Sequence, residues 1–210
     1  MEFKKIQLNG FKSFAEKTNF LIEDGLTGIV GPNGCGKSNI VESLRWVMGE
    51  TSAKSMRGSG MEDVIFSGTS NKASKNIAEV SISVANQNNE GPVQFRELDE
   101  VNVRRKIEKD KGSKFYINDK EVRARDAQMF FADLSTGAHS PSMISQGRIG
   151  ALVTAKPTDR RAILEEAAGI SGLHVRRHEA ELRLSAAENN LKRADELRRQ
   201  QEKQLASLQK

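Results

Sequence analysis

The chain has 210 residues, enough for one good-sized domain or for one domain with an appendage. Its composition is polar, with 37 % hydrophobic, 29 % charged and only 5 % aromatic residues, which calls for a solvated helix or arm beside a globular body. The net charge of +5 admits a polyanionic partner, while the single Cys35 excludes an internal disulfide framework.

The opening "MEFKKIQLNG" has no apolar h-region. No run approaches the roughly 18 apolar residues of a membrane span. Together these read as a soluble, cytoplasmic protein with no membrane partner.

Residues 2–9 and 18–22 read as short strands around "GFKSF". "LTGIV", residues 26–30, is an apolar run between turn signals, the pattern of a buried strand. A glycine-rich loop follows, then "KSNIVESLRWVMG". There Ile40, Val41, Leu44, Val47 and Met48 mark one helix face, and Gly49 is placed to end it. Residues 50–76 read mostly as loop, with a short strand at "VIFSG".

"AEVSISVAN" alternates, with Val80, Ile82 and Val84 on one face, and "VNVRRKI" alternates less cleanly. "KFYINDKEVR" reads as a hairpin turning at Asn118-Asp119. Residues 124–134 read as a short helix followed by a Gly/Ser loop. After Pro157 the helical pattern dominates, with Thr158 as N-cap and Asp159 in the first turn. In the last 40 residues Leu184, Ala187, Leu191, Ala194, Arg198, Gln201, Leu205 and Leu208 alternate at spacings of three and four. That is an imperfect coiled-coil seam; one amphipathic helix on the side of a domain is the plainer alternative.

Gly31, Gly36, Lys37 and Ser38 fit G-x-x-x-x-G-K-[ST], the loop that cradles nucleotide phosphates. Glycines let successive N–H groups turn toward the β-phosphate. Lys37 reaches the β- and γ-phosphates, Ser38 supplies its hydroxyl to Mg²⁺, and the helix N-terminus favours the anion. The nucleotide-contacting run is Gly31, Pro32, Asn33, Gly34, Cys35, Gly36, Lys37, Ser38 and Asn39, with ATP and Mg²⁺ as expected cofactors. Cys35 could carry a lowered pKa beside a helix N-terminus, or simply be a small residue that fits.

Residues 104–125 hold nine Lys/Arg against four acids. Val101, Val103 and Ile107 turn to the core, so Arg104 and Lys106 point away from it. With Lys109 they form a ribbon suited to sequence-independent phosphate contact, or a hairpin that merely solubilises.

Taken together, "GFKSF", "GPNGCGKSNIVESLRWVMGE", "SMRGSGMEDVIFSG", "ISQGRI" and "RRAILEEAAGI" resemble, in order, the N-terminal half of an SMC (structural maintenance of chromosomes) head of the bacterial form. The resemblance implies an α/β fold, an ABC-type P-loop half head with a mixed sheet over 1–172. A coiled-coil arm starts at 173–210. It implies that Gln146 ligates Mg²⁺ and senses the γ-phosphate, and that Arg57 lies near the γ-phosphate and links to DNA stimulation. Lys12 and Ser13 would contact the base and sugar side. The implied partners are DNA, the protein's own C-terminal head lobe, a second head in a homodimer, and a kleisin subunit at the neck helix. The implied setting is the nucleoid, in chromosome condensation and segregation.

An ABC site also needs a Walker B strand ending in Asp-Glu and a signature loop. "MFFADL" has Leu134 where Glu should stand, "FRELDE" is preceded by polar residues, and "LSTG" lies before Gln146 rather than after it. None qualifies, so the chain reads as a fragment that grips a nucleotide without hydrolysing it. The alternatives are a lobe of a long-armed double-strand-break-repair ATPase and a non-catalytic partner-binding module.

Overall fold

A computed structural model describes residues 1–86, 92–134, 143, 150, 153–158, 160, 161, 164 and 171–208. The chain divides into two compact units, 1–169 and 170–210. The first holds a six-stranded sheet ordered β2-β1-β3-β4-β5-β6. Its strands are β1 (Glu2–Asn9), β2 (Thr18–Leu21), β3 (Ile77–Ala85), β4 (Glu100–Glu108), β5 (Gly112–Ile117) and β6 (Lys120–Val122). Every pairing is antiparallel. Asn118 and Asp119, at φ 47° and 62°, make the β5–β6 turn with both central residues left-handed, as such two-residue hairpins require.

Helix α1 (Lys37–Val47) lies over β3 and β4, and α2 (Ala124–Asp133) over β5. Alternation places Val80, Ile82 and Val84 from β3 and Val101, Val103 and Ile107 from β4 in the core. They meet Ile40, Trp46 and Val47 of α1 and Phe130 and Phe131 of α2.

The helix α1 ends as expected at Gly49, whose φ is 105°. Gly49 N donates to Trp46 O and Glu50 N to Arg45 O, the paired bonds of a Schellman cap. A Cβ there would lie 2.3 Å from Gln128 Cγ, so glycine is needed for space as well as for conformation. Gln128 Nε2 in turn donates to Gly49 O at 2.7 Å, tying α2 to the end of α1.

Four sequence expectations are corrected. Residues 26–30 form no strand, and Leu26 and Val30 are 99 % and 92 % exposed. The sheet is filled without them, and no described strand pairs with them. "VIFSG" is not a strand either: its Val64 closes a 3₁₀ turn at Met61–Val64, and the rest makes a single bridge, Ile65 to Phe11.

The buried face of α1 is rotated from the apolar one. Val41 is 37 % exposed while Glu42 and Ser43 are buried. The hydroxyl of Ser43 is satisfied by Ile40 O, and the Glu42 carboxylate is neutralised by Lys12. Finally, Thr158 is already helical, with Pro157 before it. Arg160 N donates to Lys156 O, so Pro157 takes the first-turn position that suits a residue with no N–H.

The second unit is one helix, α3 (Ser171–Leu208). Leu184, Leu191 and Leu205 of the expected seam are exposed, as are Leu182 and Leu197. Arg198, the charged seam position, is held by Asp195 and Glu202 at 3.5 and 3.8 Å. No helix among the described residues is long and apolar enough to cross a membrane.

Candidate nucleotide-binding site

Residues 31–36 run as a loop into α1, with Gly34 and Gly36 at φ 85° and 95°. Gly36 is the N-cap, and a Cβ on it would lie 2.6 Å from Ser13 Oγ. A Cβ on Gly31 would lie 2.7 Å from Cys35 Sγ. The loop is therefore a tight cradle that larger side chains would fill. Lys37 Nζ bridges it from within, donating to Gly31 O at 2.5 Å and Pro32 O at 2.6 Å and lying 3.7 Å from Cys35 Sγ. An ammonium in this place meets a phosphate that enters the loop. Ser38 stands in the first turn of α1, where its hydroxyl can reach a cation beside the loop. This donor set fits a Mg²⁺-bound nucleotide.

The turn at Lys12-Ser13 is stapled to this loop. Phe11 and Phe14 exchange backbone bonds, and Asn39 Nδ2 donates to Ser13 Oγ at 2.9 Å. Lys12 (φ 46°) donates to Glu42 Oε2 and to Met56 O. Arg57 (φ 55°) brings Nε to 2.9 Å from Glu42 Oε1. The structure thus joins Lys12, Ser13, the 31–39 loop and Arg57 around the first two turns of α1.

The stretch after Arg57 is braced by Asp63. Its carboxylate accepts from Gly60 N, Ser59 Oγ and Ser59 N, which hold it below the usual carboxylate range, Gly60 first. Gln146 and the whole of "ISQGRI" lie outside the described residues, as does "STG" of the signature lookalike.

The basic ribbon is less free than its charge count. Arg104 faces away from the core as expected, but it pairs with Glu79 and Asp119 at 3.3 and 3.0 Å and lies over the Tyr116 ring. Lys111 pairs with Glu108 and Lys114 with Glu121. Lys106 forms no ion pair among the described residues and lines a groove of about 220 Å³ with Lys111, Lys114 and Tyr116. Lys109 lines a different cavity of about 520 Å³, with Glu62, Asp63 and Lys75.

Two residues of the structure carry no motif in the sequence. Glu42 follows Ser38 by one helical turn, so its place beside the loop is readable from spacing alone. Arg105 shares parity with Val101, Val103 and Ile107 and is accordingly 3 % exposed. Its Nη1 donates to Trp46 O and Glu50 O, both at 2.7 Å, at the end of α1.

A glycine cradle opening a helix over a sheet defines a P-loop ATPase-type head lobe. The chain belongs to the RecF/RecN/SMC N-terminal domain family, which matches residues 2–150. It is 53 % identical over its whole length to the chromosome partition protein Smc of Rhodopseudomonas palustris, of which it spans 18 %. It is similar to the solved Pyrococcus furiosus Smc head with an extended coiled coil bound to the C-terminal domain of ScpA. That likeness has a TM-score of 0.75 at 32 % identity, over 93 % of this chain and 49 % of that one. A chain solved in work on ATP-driven dimerisation and DNA-stimulated activation of SMC ATPases matches with a TM-score of 0.68 at 31 % identity. That match covers 80 % of this chain and 99 % of the other.

Proposed function

We propose that this chain is the ATP-binding half of an SMC head. A C-terminal lobe completes it, and the completed head hydrolyses ATP to drive head engagement and DNA organisation in chromosome condensation and segregation. The observation that carries this reading is the bare segment at 26–30. Its apolar side chains are exposed and it runs directly into the phosphate cradle. A segment of this kind takes a partner strand along its unpaired backbone. The partner lobe would bring a Walker B strand ending in Asp-Glu, for which no stretch of this sequence qualifies.

In this reading Lys37 binds the β- and γ-phosphates. Ser38 and Gln146 hold Mg²⁺, which neutralises phosphate charge. Lys12 and Ser13 face the base and sugar, and Arg57 approaches the γ-phosphate. Solved Smc heads are bound to the C-terminal domain of ScpA, and here the exposed leucines of α3 are the proposed surface for a kleisin. A second head would meet the nucleotide face, and the setting is the cytoplasmic nucleoid.

The test is to mix the purified chain with its C-terminal lobe. ATP turnover is expected only in the mixture. Leu26→Asp combined with Val30→Asp is expected to abolish association of the lobes in size-exclusion chromatography while circular dichroism stays unchanged. Hydrolysis by the chain alone would overturn the reading.

DNA contact is proposed at Arg104, Lys106 and Lys109, with Arg57 coupling it to the site. Neutralising the three ribbon cations is expected to flatten the salt dependence of DNA binding, by about 0.9 in log–log slope for each phosphate left without its cation. An unchanged slope in fluorescence anisotropy titrations would leave the ribbon as a solubilising face.

A further inference from the structure

Glu42 lies one helical turn past Ser38 on α1, about 6 Å along the axis. Its side chain is 6 % exposed, and a carboxylate so buried is costly unless paired. Two cations reach it, in unequal ways. Lys12, 14 % exposed, donates to Oε2 and is fixed in turn by Met56 O. Arg57 brings Nε to 2.9 Å from Oε1, yet Oε1 receives no hydrogen bond, because the N–H is not directed at it. The Arg57 side chain is 61 % exposed. Lys12 therefore suffices to neutralise Glu42, while Arg57 is held by charge alone at the edge of the surface.

We propose that Glu42 is a positioning residue. It tethers Arg57 one helical turn from the phosphate loop and yields it to the terminal phosphate of a bound nucleoside triphosphate, while Lys12 keeps the carboxylate neutralised. This rests on the nucleotide-binding reading of the loop. The exchange is favoured by chemistry: an exposed, misaligned ion pair contributes little, whereas a phosphate offers guanidinium a bidentate, charge-assisted partner. A diphosphate lacks the terminal group, so the tether discriminates between ATP and ADP. The adjacent Ser13 bonds Asn39 at the mouth of the loop. Lys12 and Ser13 therefore link the anchor of the tether to the wall of the nucleotide site.

The experiment is calorimetric titration of ATP·Mg²⁺ and ADP·Mg²⁺ into the chain assembled with its C-terminal lobe. The proteins compared are wild type, Glu42→Gln, Arg57→Ala and the two combined. Glu42→Gln frees Arg57 and is expected to tighten ATP about three- to fivefold, the range an exposed ion pair allows, with ADP unchanged. In the Arg57→Ala background the same substitution is expected to leave ATP affinity unchanged, which isolates the pair. Any other pattern overturns the proposal, including equal shifts for ATP and ADP or an effect that persists without Arg57. Should Glu42→Gln fail to fold because Lys12 loses its counter-charge, Lys12→Met with Glu42→Gln removes both charges together, and the comparison with and without Arg57 is repeated there. Lys37→Ala separates the two levels. If ATP binding survives Lys37→Ala, the reading of the loop fails and takes the tether with it. If binding is lost there but Glu42→Gln is silent, only the tether fails.

Discussion

Lys37→Ala is expected to weaken ATP·Mg²⁺ binding by at least about 100-fold while leaving the fold intact. The size follows from where the ammonium sits. It spans the mouth of the loop on two carbonyls, Gly31 O and Pro32 O, and a phosphate entering the cradle meets it there. Each hydrogen bond to a charged group is worth about 1.5–3 kcal/mol. Removing the proposed bonds to two phosphates would therefore cost two orders of magnitude or more. Lys37 takes no part in the hydrophobic core, so the thermal midpoint should move little, as for other surface changes. Lys37→Arg is not a rescue, because a planar fork replaces a compact point charge inside a tight loop. Calorimetry on the assembled head measures the first quantity and differential scanning fluorimetry the second. A Lys37→Ala protein that binds ATP within about fivefold of wild type, less than the worth of one charged bond, would remove the loop from the site.

Legibility in the sequence varies with the physics of each element. The alternation of β3, the Asn118-Asp119 turn, the Gly49 helix stop and the long polar α3 are local signals, and the structure follows them. The 26–30 run misleads because an apolar pattern reports that a segment wants a partner. It does not say whether this chain supplies one. The face of α1 is hard to place because Glu42, as a polar residue, is expected outward, when Lys12, thirty residues earlier in the chain, offsets the cost of its burial. Arg105 sits among solvent-facing cations in the sequence although its parity puts it inside. The meeting of Lys12, Glu42 and Arg57 joins three separated segments, and no window of sequence contains it. The phosphate loop itself is legible because its chemistry is carried by contiguous residues.

Arg105 provides the largest expected effect on stability. Its guanidinium is stacked between the rings of Trp46 and Phe115, at 4.5 and 4.6 Å. Nη1 donates to Trp46 O and Glu50 O, and Nε to Ser113 Oγ at 2.7 Å. The two carbonyls lie at the C-terminal end of α1, where the helix dipole is negative; Trp46 O also accepts from Gly49 N. Burial pushes the Arg105 pKa down to about 10, and the charge of Glu50 opposes that shift. The group is therefore a buried cation at neutral pH.

Arg105→Ala removes a charged donor from three neutral acceptors, bonds worth about 1.5–3 kcal/mol each, so a loss of at least about 3 kcal/mol is expected. For a chain of this size that lowers the thermal midpoint by roughly 10 °C. The pH dependence has a definite sign. A cation whose pKa is lowered by folding makes stability rise with pH only above its folded value, because there the unfolded chain binds more protons. The gap between wild type and Arg105→Ala is thus expected to be constant from about pH 6 to 9 and to widen only beyond about 10. Arg105→Lys should recover part of the loss, since an ammonium reaches a carbonyl but cannot stack as a plane. Thermal melts across that pH range decide the matter. A variant melting within about 2 °C of wild type would show that the aromatic sandwich and the α1 carbonyls are satisfied without the guanidinium.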